Sequence, residues 1–153
     1  MAWTTPKTDW ATGELVSASD LNAVNENLAA LKNPATAVYT STEDIAVPNH
    51  STFTDIDSNK FNLTITTTGG DVLVNFDGAA TTHDFRIDVE VDGTRQGDVE
   101  YGLRRGGSYA HNEFVSFTRL VQNLSAGSHT FKLQGKFDTT LRAGAQFWVR
   151  EVS

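Results

Sequence analysis

The chain has 153 residues, a net charge of −7 and no cysteine. That length suits one domain with a short appendage and buries roughly two-thirds of the unfolded surface. The missing cysteine excludes disulfides, thiol catalysis, cysteine-ligated zinc and iron–sulfur clusters, and the acidic balance argues against nucleic-acid binding, which relies on Lys and Arg at phosphates.

The first residues, "MAWTTPKTDW", lack the apolar core of a signal peptide, so a product made in the cytoplasm is expected. No apolar run approaches the roughly 20 residues of a membrane span, so no membrane insertion is expected. Residues 1–16 show no clear periodicity, yet they include Trp3, Trp10, Leu15 and Val16. Disordered tails are poorer in large aromatics. These residues are expected to be ordered by lying on a surface, either of their own domain or of another protein.

"SASDLNAVNENLAALKNP" follows, and it is the one convincing helix. Ser17 with Asp20 resembles a capping box, and Ser19 is an alternative cap. Asp20 and Glu26 lie toward its start and Lys32 in its last turn, the polarity that suits the helix dipole. Asn33-Pro34 ends it, because proline disfavours helical geometry in the preceding residue. About fifteen residues are marginal for a helix alone, so packing must hold it. Leu21, Val24, Leu28 and Leu31 form a stripe spaced 3, 4 and 3 apart. Three packings are open to that stripe: an a/d seam in a short three-helix stem, a neighbouring protein, or the chain's own β-domain.

From Thr36 onward the period changes to two. In "FRIDVEV", Phe85, Ile87, Val89 and Val91 face one way and Arg86, Asp88 and Glu90 the other, a half-buried antiparallel strand with a solvated face. Asp92-Gly93 follows as a two-residue hairpin signal. "FNLTIT" and "VLVNF" alternate similarly around a Gly69-Gly70 turn. "EFVSFTRLV", "HTFKLQGKF" and the terminal "AQFWVREV" are further strands, with a turn at "SAGS". With "AVYTS" and "STFTDI" these make about eight to ten short strands, the spacing of a sandwich or barrel. The boundary between arm and β-domain falls near residues 33–36, giving 1–35 for attachment or oligomerisation and 36–153 for the β-domain.

Few residues point to chemistry. His50, His83, His111 and His129 fall at no metal-ligand spacing and are expected on the surface or in turns. Asp55, Asp57 and Asn59 alternate like the start of a calcium loop, but Lys60 replaces the glycine and Thr66 the final glutamate. No HExxH, GxSxG or GxxxxGK[ST] occurs. No catalytic residue, metal site or cofactor is therefore expected, and the chain is read as a non-enzyme. The sequons at Asn49, Asn62 and Asn123 are read as chance in a Thr- and Ser-rich chain. The most distinctive irregular stretch is "GDVEYGLRRGGSYAHNE", where Tyr101, Arg104, Arg105 and Tyr109 form a candidate binding loop. A mobile loop with solvating or paired arginines is the alternative.

Two segments resemble known families. "WATGELVSASDLNAVNENLAALKNP" resembles an N-terminal segment of phage and prophage structural proteins. "LSAGSHTFKLQGKFDTTLRAGAQFWVREVS" resembles the closing strands of small C1q/TNF-like jelly rolls. Together they cover about a third of the chain. They imply an antiparallel jelly-roll head, a homotrimer, and a virion location with other virion structural proteins as partners. The residues assigned to attachment are Trp3, Trp10, Leu21, Val24, Leu28 and Leu31. The implied function is a capsid decoration protein or short head or tail fibre; the alternative is a tail-fibre tip that binds a host-surface glycan or receptor. A single domain without a long fibrous repeat restricts any fibre role to a short element.

Overall fold

In the computed structural model, the period-two alternation after residue 35 becomes two antiparallel sheets packed face to face. The structure describes residues 7, 9, 11–81, 84–105 and 113–152, with the backbone alone at 30–32. One helix, α1 (Ala18–Lys32), precedes twelve strands among these residues. They are β1 (Thr36–Thr40), β2 (Ile45–Val47), β3 (Thr54–Asp55), β4 (Asn62–Thr67), β5 (Gly70–Ala80) and β6 (Arg86–Val91). β7 (Thr94–Arg95), β8 (Arg104–Arg105), β9 (Glu113–Leu124), β10 (Gly127–Lys136), β11 (Thr139–Leu141) and β12 (Gln146–Val152) complete the set.

Sheet I is centred on β5, which pairs with β12 on one flank and β9 on the other. β1 lies outside β12, and β2 lies outside β11, which meets β5 at Ala80. Sheet II is centred on β10, with β4 and β3 on one flank and β6 on the other. The short strands β7 and β8 pair with β6. The fold is an antiparallel jelly-roll sandwich with one helix before it.

The two inner faces meet in a single core. Phe61, Phe76, Phe85, Phe131 and Phe147 are fully buried there, each stabilising the fold by about 1.5–3 kcal/mol. Phe61, just before β4, makes edge-on contacts with Tyr39 of β1 at 5.0 Å and Phe76 of β5 at 6.3 Å. Asp92 and Gly93 have φ of 48° and 84°. Both positive angles make this the tight turn that an Asp-Gly pair favours between twisted strands.

The register fixes the two ends. Thr36 pairs with Arg150, Gly70 with Leu124 and Gly127 with Thr67, so these termini gather at one end with the Asp92-Gly93 turn. The Glu151 N–H donates to Ala35 O there, which makes it the end where the helical arm joins. Arg86 pairs with Lys136 and with Arg105, placing β8 at the opposite, distal end.

Candidate functional site

The attachment residues come first. Ser17 caps α1: its hydroxyl accepts from the Asp20 N–H at 3.2 Å, and the Asp20 carboxylate accepts from the Ser17 N–H at 3.0 Å. The apolar stripe does not pack on the chain's own sandwich. Leu21, Val24 and Leu28 are 56%, 44% and 49% exposed, and Leu15 and Val16 before them are exposed as well. The helix instead buries Asn27, with Ala23 and Ala29 half-buried. Of the three packings open to the stripe, the self-capping one is not seen for these three residues in this structure. Trp3, Trp10 and the Leu31 side chain lie outside the described residues.

The outer face of sheet I also carries exposed apolar side chains. Its cross-strand rows run Thr36–Arg150–Leu73–Leu120, Val38–Trp148–Asn75–Thr118 and Thr40–Gln146–Asp77–Ser116. Phe114, opposite Ala79, is 67% exposed; Val38, Leu120 and Val152 are exposed too. Near the centre Asn75 is buried; its Oδ1 accepts from Thr118 Oγ1 at 2.8 Å and its amide donates to Asp77. β9 is an edge strand of twelve residues, a long run of backbone with a partner on one side among the described residues.

The outer face of sheet II differs in kind. Alternation in "FRIDVEV" predicted a solvated polar face, but Arg86 and Asp88 are buried. The segment after β7 folds over them. Gly97 and Gly102 make that approach possible: a Cβ on Gly97 would lie 2.7 Å from Asp88 Oδ1, and one on Gly102 2.5 Å from Ile87 O. Beneath it Arg95 pairs with Asp88 at 2.6 Å and covers the Phe53 ring at 3.9 Å. Burial pushes the Asp88 carboxyl up, against the Val89 N–H and Arg95, which hold it down. Lys132 meets Asp55 and Glu90 at 3.3 and 3.5 Å, and the Gln134 amide donates to both carboxylates.

The candidate binding loop sits at the distal end. Tyr101 is 45% exposed, with its ring over the Arg86 guanidinium at 4.7 Å. Phe137 lies on the same guanidinium at 5.0 Å, and Arg86 donates to Glu100 O at 2.7 Å. Arg86 Nε is buried with no hydrogen-bond partner. Arg105 is half-engaged, donating to Asp84 Oδ1 at 2.7 Å, while Arg104 is exposed. Tyr109 lies outside the described residues. Sequence reasoning missed Arg86 as the centre of this loop, since alternation marked it only as an outward position.

His129 also departs from expectation. It is buried rather than superficial, because it occupies an inward position two residues before Phe131 on β10. His83 and His111 lie outside the described residues. Asp55 and Asp57 serve separate purposes: Asp57 Oδ1 accepts from the Asn59 and Lys60 N–H groups of a turn, while Asp55 pairs with Lys132. Among the described residues no cluster of three His, Asp or Glu side chains is placed to hold a metal ion. No helix among them is long and apolar enough to cross a membrane.

Comparisons with known proteins show no family for this chain. No family model matches the chain, and no curated protein is significantly similar in sequence. Solved structures of similar shape include infectious bursal disease virus, Gx strain, at 8% identity and a TM-score of 0.47. That match covers 78% of this chain and 32% of the viral one, so this chain spans about a third of the viral chain's length. Eiger TNF from S. frugiperda matches at 9% identity and a TM-score of 0.47, over 79% of this chain and 94% of that one. The CBM36-1 domain of a multidomain xylanase from the hindgut metagenome of Trinervitermes trinervoides matches at 12% identity and 0.45, over 77% and 98%. These are likenesses of fold.

Proposed function

We propose that this protein is a non-enzymatic structural component of a phage-type virion. Its jelly-roll head forms a homotrimer through the outer face of sheet I, and its N-terminal arm and helix anchor it to the particle. The role is that of a capsid decoration protein or a short head or tail fibre.

One observation carries this reading. In the strands, every exposed large apolar side chain lies on the outer face of sheet I, and the arm and helix expose Leu15, Val16, Leu21, Val24 and Leu28. Isolated apolar residues on a surface are ordinary, but Val38, Phe114, Leu120 and Val152 share one face across three strands, β1, β9 and β12, which favours reading it as an interaction face. The virion assignment rests on the likeness of "WATGELVSASDLNAVNENLAALKNP" to phage structural segments.

Absolute mass by light scattering, on the full chain and on one starting at Thr36, tests the assembly. Trimers in both cases are the expected result, leaving the helix free to grip the particle. A trimer in the full chain alone would make the leucine stripe the stem. A monomeric full chain would overturn the proposal. The anchoring role is tested separately: removing 1–35 is expected to abolish capsid binding while the head stays folded, and capsids still decorated by the shortened chain would refute it.

A second reading is favoured by position. The loop of Tyr101, Arg104 and Arg105 lies at the end opposite the arm junction, where the tip of an anchored head would meet a host glycan or receptor. Replacing Tyr101, Arg104, Arg105 and Tyr109 with Ala is expected to abolish adsorption and leave the oligomer intact. Unchanged adsorption would dismiss it.

A further inference from the structure

The buried His129 has no part in the assembly described above. Its ring lies between the sheets at the arm-proximal end, with Nδ1 2.6 Å from Asp92 Oδ2 and Nε2 2.8 Å from Ser125 O. A neutral imidazole carries one N–H and one lone pair, so it donates to one partner only. The Ser125 carbonyl can only accept, and it already takes a bond from Thr67 Oγ1 at 3.0 Å. Asp92 is favoured as a carboxylate: its Oδ1 accepts from the Thr130 N–H at 2.8 Å. Burial works against that charge, but His129 and the Thr130 N–H outweigh it and hold the carboxyl below its usual range. Two acceptors therefore face the two ring nitrogens, and both bonds form only when both nitrogens carry protons.

We infer that His129 is a buried imidazolium that clasps the β6–β7 hairpin to the β9–β10 turn, and that this clasp opens as pH rises. Asp92 is at the tip of that hairpin, in the tight Asp-Gly turn, and Ser125 opens the turn after β9. The clasp therefore joins an edge of sheet II to an edge of sheet I. Between these edges runs a cleft of about 400 Å³, walled by Val91, Asp92 and Gln96 on one side and Arg119, Val121 and Leu124 on the other. Drawing Asp92 toward Ser125 sets the width of this cleft.

The neighbouring charges leave the clasp to this one pair. Glu151, on β12, accepts from the Thr68 N–H and hydroxyl, each at 2.7 Å. Asp71, on β5, accepts from the Asn123 N–H at 3.0 Å. Arg119, on β9, shares the cleft with Asp92 and is exposed. Ile65 and Thr67 of β4, which flank the ring, carry no charge. The Asp92 carboxylate holds the His129 ring above its ordinary range, against a smaller effect of burial, with the Ser125 carbonyl adding to the rise.

The sign of the pH dependence follows. A histidine whose folded pKa is raised contributes fully below its unfolded value of about 6.5, and the contribution is lost as pH climbs through the folded value. Each unit of elevation changes the folded-to-unfolded ratio by about tenfold.

Long-range nitrogen–proton NMR of the ring in the full chain tests the protonation directly, with His129→Asn used to assign the signal. Both nitrogens of His129 are expected to carry protons at pH 7. A single-tautomer pattern at that pH would overturn the inference. Amide hydrogen exchange tests the clasp. After correction for intrinsic base catalysis, exchange at residues 92–94 and 125–128 is expected to rise about tenfold for each unit of elevation as His129 deprotonates. In Asp92→Asn the same amides are expected to exchange quickly at every pH. Wild-type rates that stay level through the titration would reject the clasp.

Discussion

The two outer faces of this sandwich solve the same problem in opposite ways. Each sheet turns one set of alternate residues away from the core, and those residues must be covered, paired or wet. Sheet II covers its own: Arg86, Asp88 and Gln134 are buried under the chain that follows β7 or between paired charges. Sheet I leaves Val38, Phe114, Leu120 and Val152 exposed, with a polar centre at Asn75 and Thr118. A face that is satisfied within one chain has little to gain from a partner, whereas an open apolar face gains about 25 cal/mol for each Å² that a partner covers. The proposed assembly is therefore placed on sheet I.

Four changes break or sharpen this contrast. The largest effect is expected from Phe114→Lys with Leu120→Lys, which puts two charges on the open face. If the proposed trimer holds, the mass by light scattering should fall to about a third while the thermal transition of the head remains. A double variant that stays fully trimeric would move the assembly face elsewhere.

On the closed face the expected cost is to folding rather than to assembly. Asp88→Ala strands Arg95 beside a buried site and should lower unfolding free energy by about 3 kcal/mol, as broken buried pairs do. Urea denaturation measures it, and loss of less than about 1 kcal/mol would show that the segment over sheet II is held otherwise.

A smaller change, about 1 kcal/mol, is expected when Ser17→Ala removes the helix cap. Because α1 buries little of its stripe, circular dichroism should register frayed helix with no shift in the unfolding of the β-domain. The smallest effect on stability belongs to Leu21→Ser with Leu28→Ser, within about 0.5 kcal/mol, as for ordinary surface positions. If the proposed anchoring holds, this near-silent pair nevertheless removes binding to the particle in a pull-down. A drop of several kcal/mol would mean that the stripe packs on the head after all.

Much of the architecture was legible in the residues. Alternation in Phe85, Ile87, Val89 and Val91 marks an inward row, and all four are buried. Ser17 and Asp20 mark the helix start, and Asp92-Gly93 marks a hairpin; each occupies that place. These signals are local, set by side-chain periodicity and by the backbone angles a few residues allow. The short strands β3, β7 and β8 carry too few residues to show a period, and the described residues hold twelve strands where alternation predicted about eight to ten.

The candidate site was less legible. Alternation assigns an outward position to Arg86 and Asp88, but whether outward means wet depends on a segment beyond the next turn folding back over them. It marks His129 only as a polar residue among strand residues, although its two acceptors come from positions 37 residues earlier and 4 earlier. The arm's stripe was visible at once in Leu21, Val24 and Leu28. Its exposure was not, because burial is a property of what else comes near.

By itself, then, the sequence determined where the helix begins, where the chain turns, and which side of each long strand is greasy, since those follow from local sterics and from the spacing of apolar residues. Only the tertiary structure decided which outer face is closed and which is open, and that a buried ring stands between two acceptors. Such outcomes depend on strand register and on contacts between residues far apart in the chain, where side-chain identity alone carries no address.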